Sequence, residues 1–176
     1  GRVNPNQRGD LEGMDELAAR YKISAWKTYT QWGPDGASGF FMDDEPGIRL
    51  IEKARKLGIR NIAIHKGLAF GPKSYEHSTC VDIGRVAKRY PDVNFLIYHS
   101  GFVANKTEGA YDAKRAEGID ALVTSLLENS VKPGSNVYAE LGSTWRLAMR
   151  DPDTAAHTIG KLVKYCGENN VLWGTD

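Results

Sequence analysis

Five polar residues close five short apolar runs of this chain at nearly even spacing. They are Lys27 in Ser24-Ala25-Trp26-Lys27, His65 in Asn61-Ile62-Ala63-Ile64-His65, and His99 in Phe95-Leu96-Ile97-Tyr98-His99. Glu140 in Asn136-Val137-Tyr138-Ala139-Glu140 and Asp176 in Val171-Leu172-Trp173-Gly174-Thr175-Asp176 complete the series. The gaps are 38, 34, 41 and 36 residues. A parallel strand, its crossover helix and two loops need roughly that length, from a minimum of about 30 residues. Strand-end polar residues in register along a parallel sheet are how an α/β barrel assembles one site from separate strands.

The segments between these runs read as helices. Asp10 is placed to cap a first helix, with Leu11, Met14, Leu17, Ala18 and Tyr21 on one face. Residues 23–29 read as strand. Pro46 suits the first turn of a second helix, whose apolar face is Ile48, Ile51, Ala54 and Leu57 and whose stop is Gly58. A third helix carries Val81, Ile83, Val86, Ala87 and Tyr90 and ends at Pro91. A fourth carries Ile119, Leu122, Val123, Leu126 and Leu127. Asp151-Pro152 is an N-cap followed by proline at the first helical position, opening a helix to about Tyr165. The strands are near-continuous apolar runs, as burial on both faces of a parallel sheet requires. Long loops follow the strands, notably 31–45, 66–78 and 100–116, and short ones follow the helices. That asymmetry puts the elaborated loops at the strands' carboxyl ends, where such folds bind ligands.

Composition narrows the function classes. Hydrophobic residues at 41% and charged residues at 26% are ordinary for a globular domain, and 176 residues form a single domain, 1–176. A net charge of +1 gives no electrostatic case for nucleic acid or an anionic membrane. No apolar run approaches the roughly 18 residues of a membrane span, and the N-terminus does not read as a signal peptide, so the expectation is a soluble cytoplasmic protein. Cys80 and Cys166 fall on apolar positions and read as reduced core thiols. Asn105-Lys106-Thr107 matches a glycosylation sequon without other signs of secretion.

Two histidines and an aspartate at strand ends are a donor set for a divalent metal. The signatures Ala63-Ile64-His65, Ile97-Tyr98-His99-Ser100-Gly101 and Val171-Leu172-Trp173-Gly174-Thr175-Asp176 resemble the amidohydrolase superfamily of metal-dependent barrels. The resemblance is to its second large branch, which mixes hydrolases with non-oxidative decarboxylases, and it covers essentially the whole chain. It implies an α/β fold, a partial (β/α)8 TIM barrel running from the end of strand 3 to strand 8. The first strands and last helix are then absent, together with the His-x-His of the family's first strand.

The resemblance also implies roles. His65 is a metal ligand, and Asp176 is a metal ligand that also accepts a proton from water. His99 binds a second metal in dinuclear members; in mononuclear ones, the favoured reading, it polarises the substrate carbonyl or shuttles a proton. Lys27 stands where some members hold a bridging carboxylated lysine, but a salt-bridge partner or anion anchor is the favoured reading. Glu140 orients His99 or the substrate, or serves a purely structural hydrogen-bonding role. Lys27 and Glu140 are thus the substrate-binding candidates, His99 and Asp176 the catalytic ones. Lys66, Lys73, His77 and Arg146 lie on loops at the same end, as candidates for an anionic substrate or as solvated surface. His157 falls within a helix and reads as structural, while Trp26 and Trp32 read as core or pocket lining. The cofactor implied is zinc, with manganese or iron as alternatives, and the partner is a small molecule, with homo-oligomerisation left open.

The implied activity is hydrolysis of an amide, ester or lactone-like bond by a metal-activated water, with decarboxylation as the alternative. A piece lacking the first strands is expected to be inactive alone and to expose an apolar interior built from Ile62, Ile64, Phe95 and Ile97. The rival from another class is a non-catalytic flavodoxin-like binding module. It lacks support in the sequence, because neither Gly-x-Gly-x-x-Gly nor a Walker pattern is present.

Overall fold

The computed structural model describes residues 1–32, 39–69, 75–174 and 176. Gly71, Pro72, Lys73, Thr175 and part of the 31–45 loop lie outside them. Five strands, β1 (Trp26–Tyr29), β2 (Asn61–His65), β3 (Asn94–Tyr98), β4 (Val137–Glu140) and β5 (Val171–Leu172), form one sheet in which every pairing is parallel. The strand order follows the sequence, β1-β2-β3-β4-β5. A doubly wound, flavodoxin-like sheet reverses its strand order at a switch point. This sheet does not reverse, and its sequential march is that of a partial (β/α)8 barrel. Arg2 bridges Lys27 in parallel, and the Val3 N–H donates to the Lys27 carbonyl at 2.9 Å, so residues 1–3 run beside β1.

The helices are α1 (Asp10–Arg20), α2 (Glu45–Lys56), α3 (Ile83–Arg89), α4 (Gly118–Glu128), the short α5 (Thr144–Ala148) and α6 (Pro152–Tyr165). Asp151 caps α6 as expected, accepting the Thr154 N–H at 2.7 Å, with Pro152 in the first turn. Gly58 takes the left-handed φ of 72° that ends α2. At α1 the expectation fails: Gly9 is the capping residue, and the Asp10 carboxylate instead accepts the Asn4 N–H at 2.8 Å. Two residues assigned to apolar faces, Tyr21 and Leu127, are about half exposed. Among the described residues no helix is long and apolar enough to cross a membrane.

Alternation along the strands decides which face each residue serves. Registered residues of parallel strands share a face, so Lys27 pairs with Ala63, Tyr29 with His65, and His65 with Tyr98 on one side. Trp26, Ile62, Phe95 and Val137, followed by Thr28, Ile64, Ile97 and Ala139, line the other. The second face meets the helices and is closed to solvent, with Ile62, Ile64, Phe95 and Ile97 each 0% exposed. These four isoleucine and phenylalanine side chains therefore do not build a barrel interior. They are the floor on which α2, α3 and α4 pack, joined by Leu50, Ile51, Ile83, Val86, Leu122 and Leu126. Cys80 and Cys166 are free and buried in the same core, just outside the helix ends.

Candidate active site

The inward face of the sheet ends in a cavity of about 470 Å³ lined by Lys27, Tyr29, Leu96, Tyr98, Glu140, Leu172, Trp173, Gly174 and Asp176. The loops that follow the strands use backbone that L-residues rarely adopt. After β3 the chain takes three left-handed residues in succession, His99 (φ 64°), Ser100 (φ 52°) and Gly101 (φ 80°). Leu68 after β2 and Ser143 after β4 are also left-handed, at φ 42° and 53°. Such residues cost of order 1–3 kcal/mol each and persist where surrounding contacts hold them. Here they lie past the carboxyl ends of three successive strands and turn their side chains across the sheet.

The turn at His99 brings its ring beside that of His65, with centroids 4.5 Å apart and planes at 72°. On its other side His65 stacks on Tyr29 at 5.1 Å, and Tyr29 in turn stacks on Trp32 at 4.9 Å. Burial, aided by the neighbouring His99 and Lys27, lowers the His65 pKa to about 3. The imidazole is therefore neutral throughout the physiological range, with a lone pair to give. His99 Nε2 lies 4.0 Å from Asp176 Oδ2, and the Asp176 carboxylate also accepts the Ser143 hydroxyl at 2.8 Å. His99 Nδ1 meets the Gly142 carbonyl at 2.5 Å. Three residues far apart in the chain thus converge.

The donor chemistry fits a divalent cation: a neutral imidazole at His65, the Asp176 carboxylate, and His99 Nε2 close to both. Among the described residues no three such groups close on one point, so they do not form a closed coordination shell.

Lys27 is the second residue of β1, so the strand end is Tyr29, which registers with His65. The run of apolar residues stopped short of the hydrogen-bonded strand. The Lys27 ammonium sits 3.1 Å from the centre of the Tyr98 ring and 5.3 Å from that of Tyr29. Burial lowers its pKa to about 7, against the opposing pull of Glu140 and Asp176. Glu140 is buried at the end of β4, and both its oxygens are engaged: Oε2 accepts the His99 N–H at 3.2 Å and Oε1 the Gly142 N–H at 2.6 Å.

The loop candidates divide. Lys66 follows His65 by one residue and so points to the opposite face, where it is fully buried. Its Nζ lies 3.0 Å from Asp82 Oδ2 and donates to the His77 carbonyl at 3.0 Å. It is not on the surface. The His77 ring packs on Phe41 at 4.7 Å, and its carbonyl also accepts the Thr30 hydroxyl, tying two loops together. Arg146 is exposed on α5. His157 lies on α6, remote from the strand ends, beside Tyr111 and Lys164. Trp26 is core at 0% exposure. The residues missed from the sequence are Tyr29, Leu96, Tyr98 and Ser143. Counting two residues on from Lys27 reaches Tyr29; Leu96 and Tyr98 share that face only through the register of β3 with β2, and Ser143 had no signal.

The sheet order and the strand-end constellation define an α/β-barrel protein with its polar groups gathered at the carboxyl edge. A family model described as Amidohydrolase matches residues 10–176, and the chain belongs to that family. Membership carries the superfamily's hydrolase- or decarboxylase-type chemistry, its small-molecule substrates and its general use of divalent metals. Among curated proteins and among solved structures no match was found.

Proposed function

We propose that the site belongs to a metal-dependent hydrolase that opens an amide, ester or lactone-like bond of a small molecule. The observation that carries this reading is the approach of His65, His99 and Asp176 from three strand ends, with Asp176 lining the cavity. His65 and Asp176 are the residues to hold a divalent cation, zinc by preference with manganese or iron as alternatives. Such a cation, when bound, lowers the pKa of water at the site towards ~7 and polarises the scissile carbonyl. Asp176 accepts the proton from the attacking water, held in aim by the Ser143 hydroxyl at 2.8 Å. His99, with Nε2 at 4.0 Å from that carboxylate, relays the proton to the leaving group. His65 stays neutral because burial disfavours its charged form. Tyr98, Leu172 and the largely exposed Trp173 supply apolar surface against which a substrate packs.

A second reading, decarboxylation on the same site, is favoured by the Lys27 ammonium over the Tyr98 ring inside the cavity. A cation beside aromatic faces suits the carboxylate of a planar acid. One experiment separates the two. The full-length enzyme, reconstituted in turn with zinc, manganese and iron, is offered esters, amides, lactones and unsaturated acids in ¹⁸O-water. Incorporation of ¹⁸O into the acid product of an ester, amide or lactone supports hydrolysis. Release of carbon dioxide from an acid without ¹⁸O uptake into the organic product replaces the first reading with the second. Turnover unchanged in Asp176→Asn would overturn both.

A further inference from the structure

We infer that Glu140 is a positioning residue that sets the tautomer of His99 through the Gly142 peptide, rather than a substrate contact. The claim deepens the reading of His99 given above and stands on a closed circuit of contacts. Glu140 Oε1 accepts the Gly142 N–H at 2.6 Å, which anchors the Leu141–Gly142 peptide, one unit before the one that carries the Gly142 carbonyl. The carbonyl of Gly142 lies 2.5 Å from His99 Nδ1. The backbone N–H of His99 returns to Glu140 Oε2 at 3.2 Å. A carbonyl oxygen only accepts, so Nδ1 must carry the proton of the neutral ring. Nε2 is then left as the bare nitrogen, on the side where Asp176 stands.

Two further observations show that the slot is built for this carboxylate. Cβ atoms added at Gly142 and at Gly174 would both run into it, so two separate strand-end loops leave room for Glu140 only as glycine. Neither glycine has a positive φ, so space rather than backbone conformation is what requires glycine here. The circuit is pinned from outside as well. Ser100 Oγ donates to the Glu140 carbonyl at 2.9 Å, and Thr144 Oγ1 donates to the His99 carbonyl at 3.0 Å. These bonds hold His99 and Ser100 in their left-handed conformation.

A carboxylate is needed because two backbone donors must be satisfied at once. Glutamine offers one acceptor oxygen and turns an NH₂ towards the other N–H, so Glu140→Gln breaks one arm of the circuit. Aspartate is one methylene shorter and cannot span both amides. With that arm broken, the Gly142 carbonyl keeps only the Thr144 N–H at 2.6 Å, and His99 gains access to the tautomer protonated at Nε2, whose nitrogen cannot accept a proton.

The test reads the tautomer directly. Ring ¹⁵N–¹H correlation spectra of the full-length protein, freed of metal with a chelator, report which nitrogen of His99 is protonated. The wild type is expected in the Nδ1–H form, with Glu140→Gln and Gly142→Ala shifting at least half the population to Nε2–H. A wild-type His99 protonated at Nε2 overturns the proposal without any variant having to fold. A Glu140→Gln protein that folds and keeps the Nδ1–H form overturns it too. On the enzyme, Glu140→Gln should lower kcat at least 10-fold with KM within about twofold and shift the acid limb of the kcat pH profile. A rise in KM alone would make Glu140 a substrate contact and refute the inference. The tautomer is read without substrate, so a failed hydrolase assignment leaves this result standing, and the converse also holds.

Discussion

Lys66 Nζ lies 3.0 Å from Asp82 Oδ2, and neither side chain reaches solvent. One residue earlier, His65 lies against the His99 ring on the inward face, so adjacent positions of the chain serve opposite sides of the sheet. The pair joins three loops, because Asp82 Oδ2 also accepts the Met42 N–H at 2.7 Å and Lys66 donates to the His77 carbonyl.

Removing one partner of such a pair leaves the other charge buried without compensation. Lys66→Met should therefore destabilise the protein by about 3–5 kcal/mol, and the double variant Lys66→Met/Asp82→Asn should recover part of that loss. Urea unfolding of the two proteins decides it. Equal midpoints for wild type and Lys66→Met would mean that the pair is not buried as described.

Asp176→Asn removes the proton acceptor next to His99 while keeping the shape of the side chain. Loss of a general base costs about 10²–10⁴-fold in rate, so kcat should fall in that range with KM little changed. The Asp176 side chain is half exposed, so the thermal midpoint should stay within about a degree. Steady-state kinetics and a melting curve on the same preparation check both halves.

Lys27 should titrate close to physiological pH, with ammonium and neutral amine both populated there. Its folded-state pKa of about 7 lies below the ordinary 10.5, so between those values the unfolded chain binds the extra proton. Stability should then rise with pH across that window. The cost of holding the ammonium in the cavity is fully present below pH 7 and vanishes towards 10.5. Lys27→Met should accordingly stabilise the protein more at pH 6 than at pH 10. Trinitrobenzenesulfonate should modify Lys27 at pH 7.5 ahead of the surface lysines, as peptide mapping would show.

Both thiols should be inert in the native state. Burial raises the pKa of Cys166 to about 12 and drives that of Cys80 upward as well. Ellman's reagent should find no reactive thiol in the folded protein and two in guanidinium. Rapid reaction of either cysteine without denaturant would contradict the packing of α3 and α6.

Much of the site was legible because it depends on local pattern. Apolar runs followed by His65, His99 and Asp176, separated by one βα unit each, are enough to put those residues on the same edge of a parallel sheet. Lys27 was misplaced by two residues because strand ends are set by hydrogen bonding, and Thr28 and Tyr29 continue the ladder beyond the apolar run. Ile62, Ile64, Phe95 and Ile97 were assigned to the wrong face. Their run is apolar on both sides, so the sequence carries no polar alternation to mark which side meets the helices.

Short-range order was therefore determined by the sequence alone: the βα repeat, the extents of β2 and β3, the cap of α6 and the rim position of the two histidines. Each follows from side-chain periodicity, proline and glycine geometry or capping within a few residues. Tertiary structure alone decided what the polar side chains touch. Lys66 finds Asp82 sixteen residues on, Glu140 finds the backbone of His99, and Lys27 finds the face of Tyr98. Those partners are selected by strand register and loop backbone, which emerge only when distant segments pack and every buried donor and acceptor must be satisfied at once.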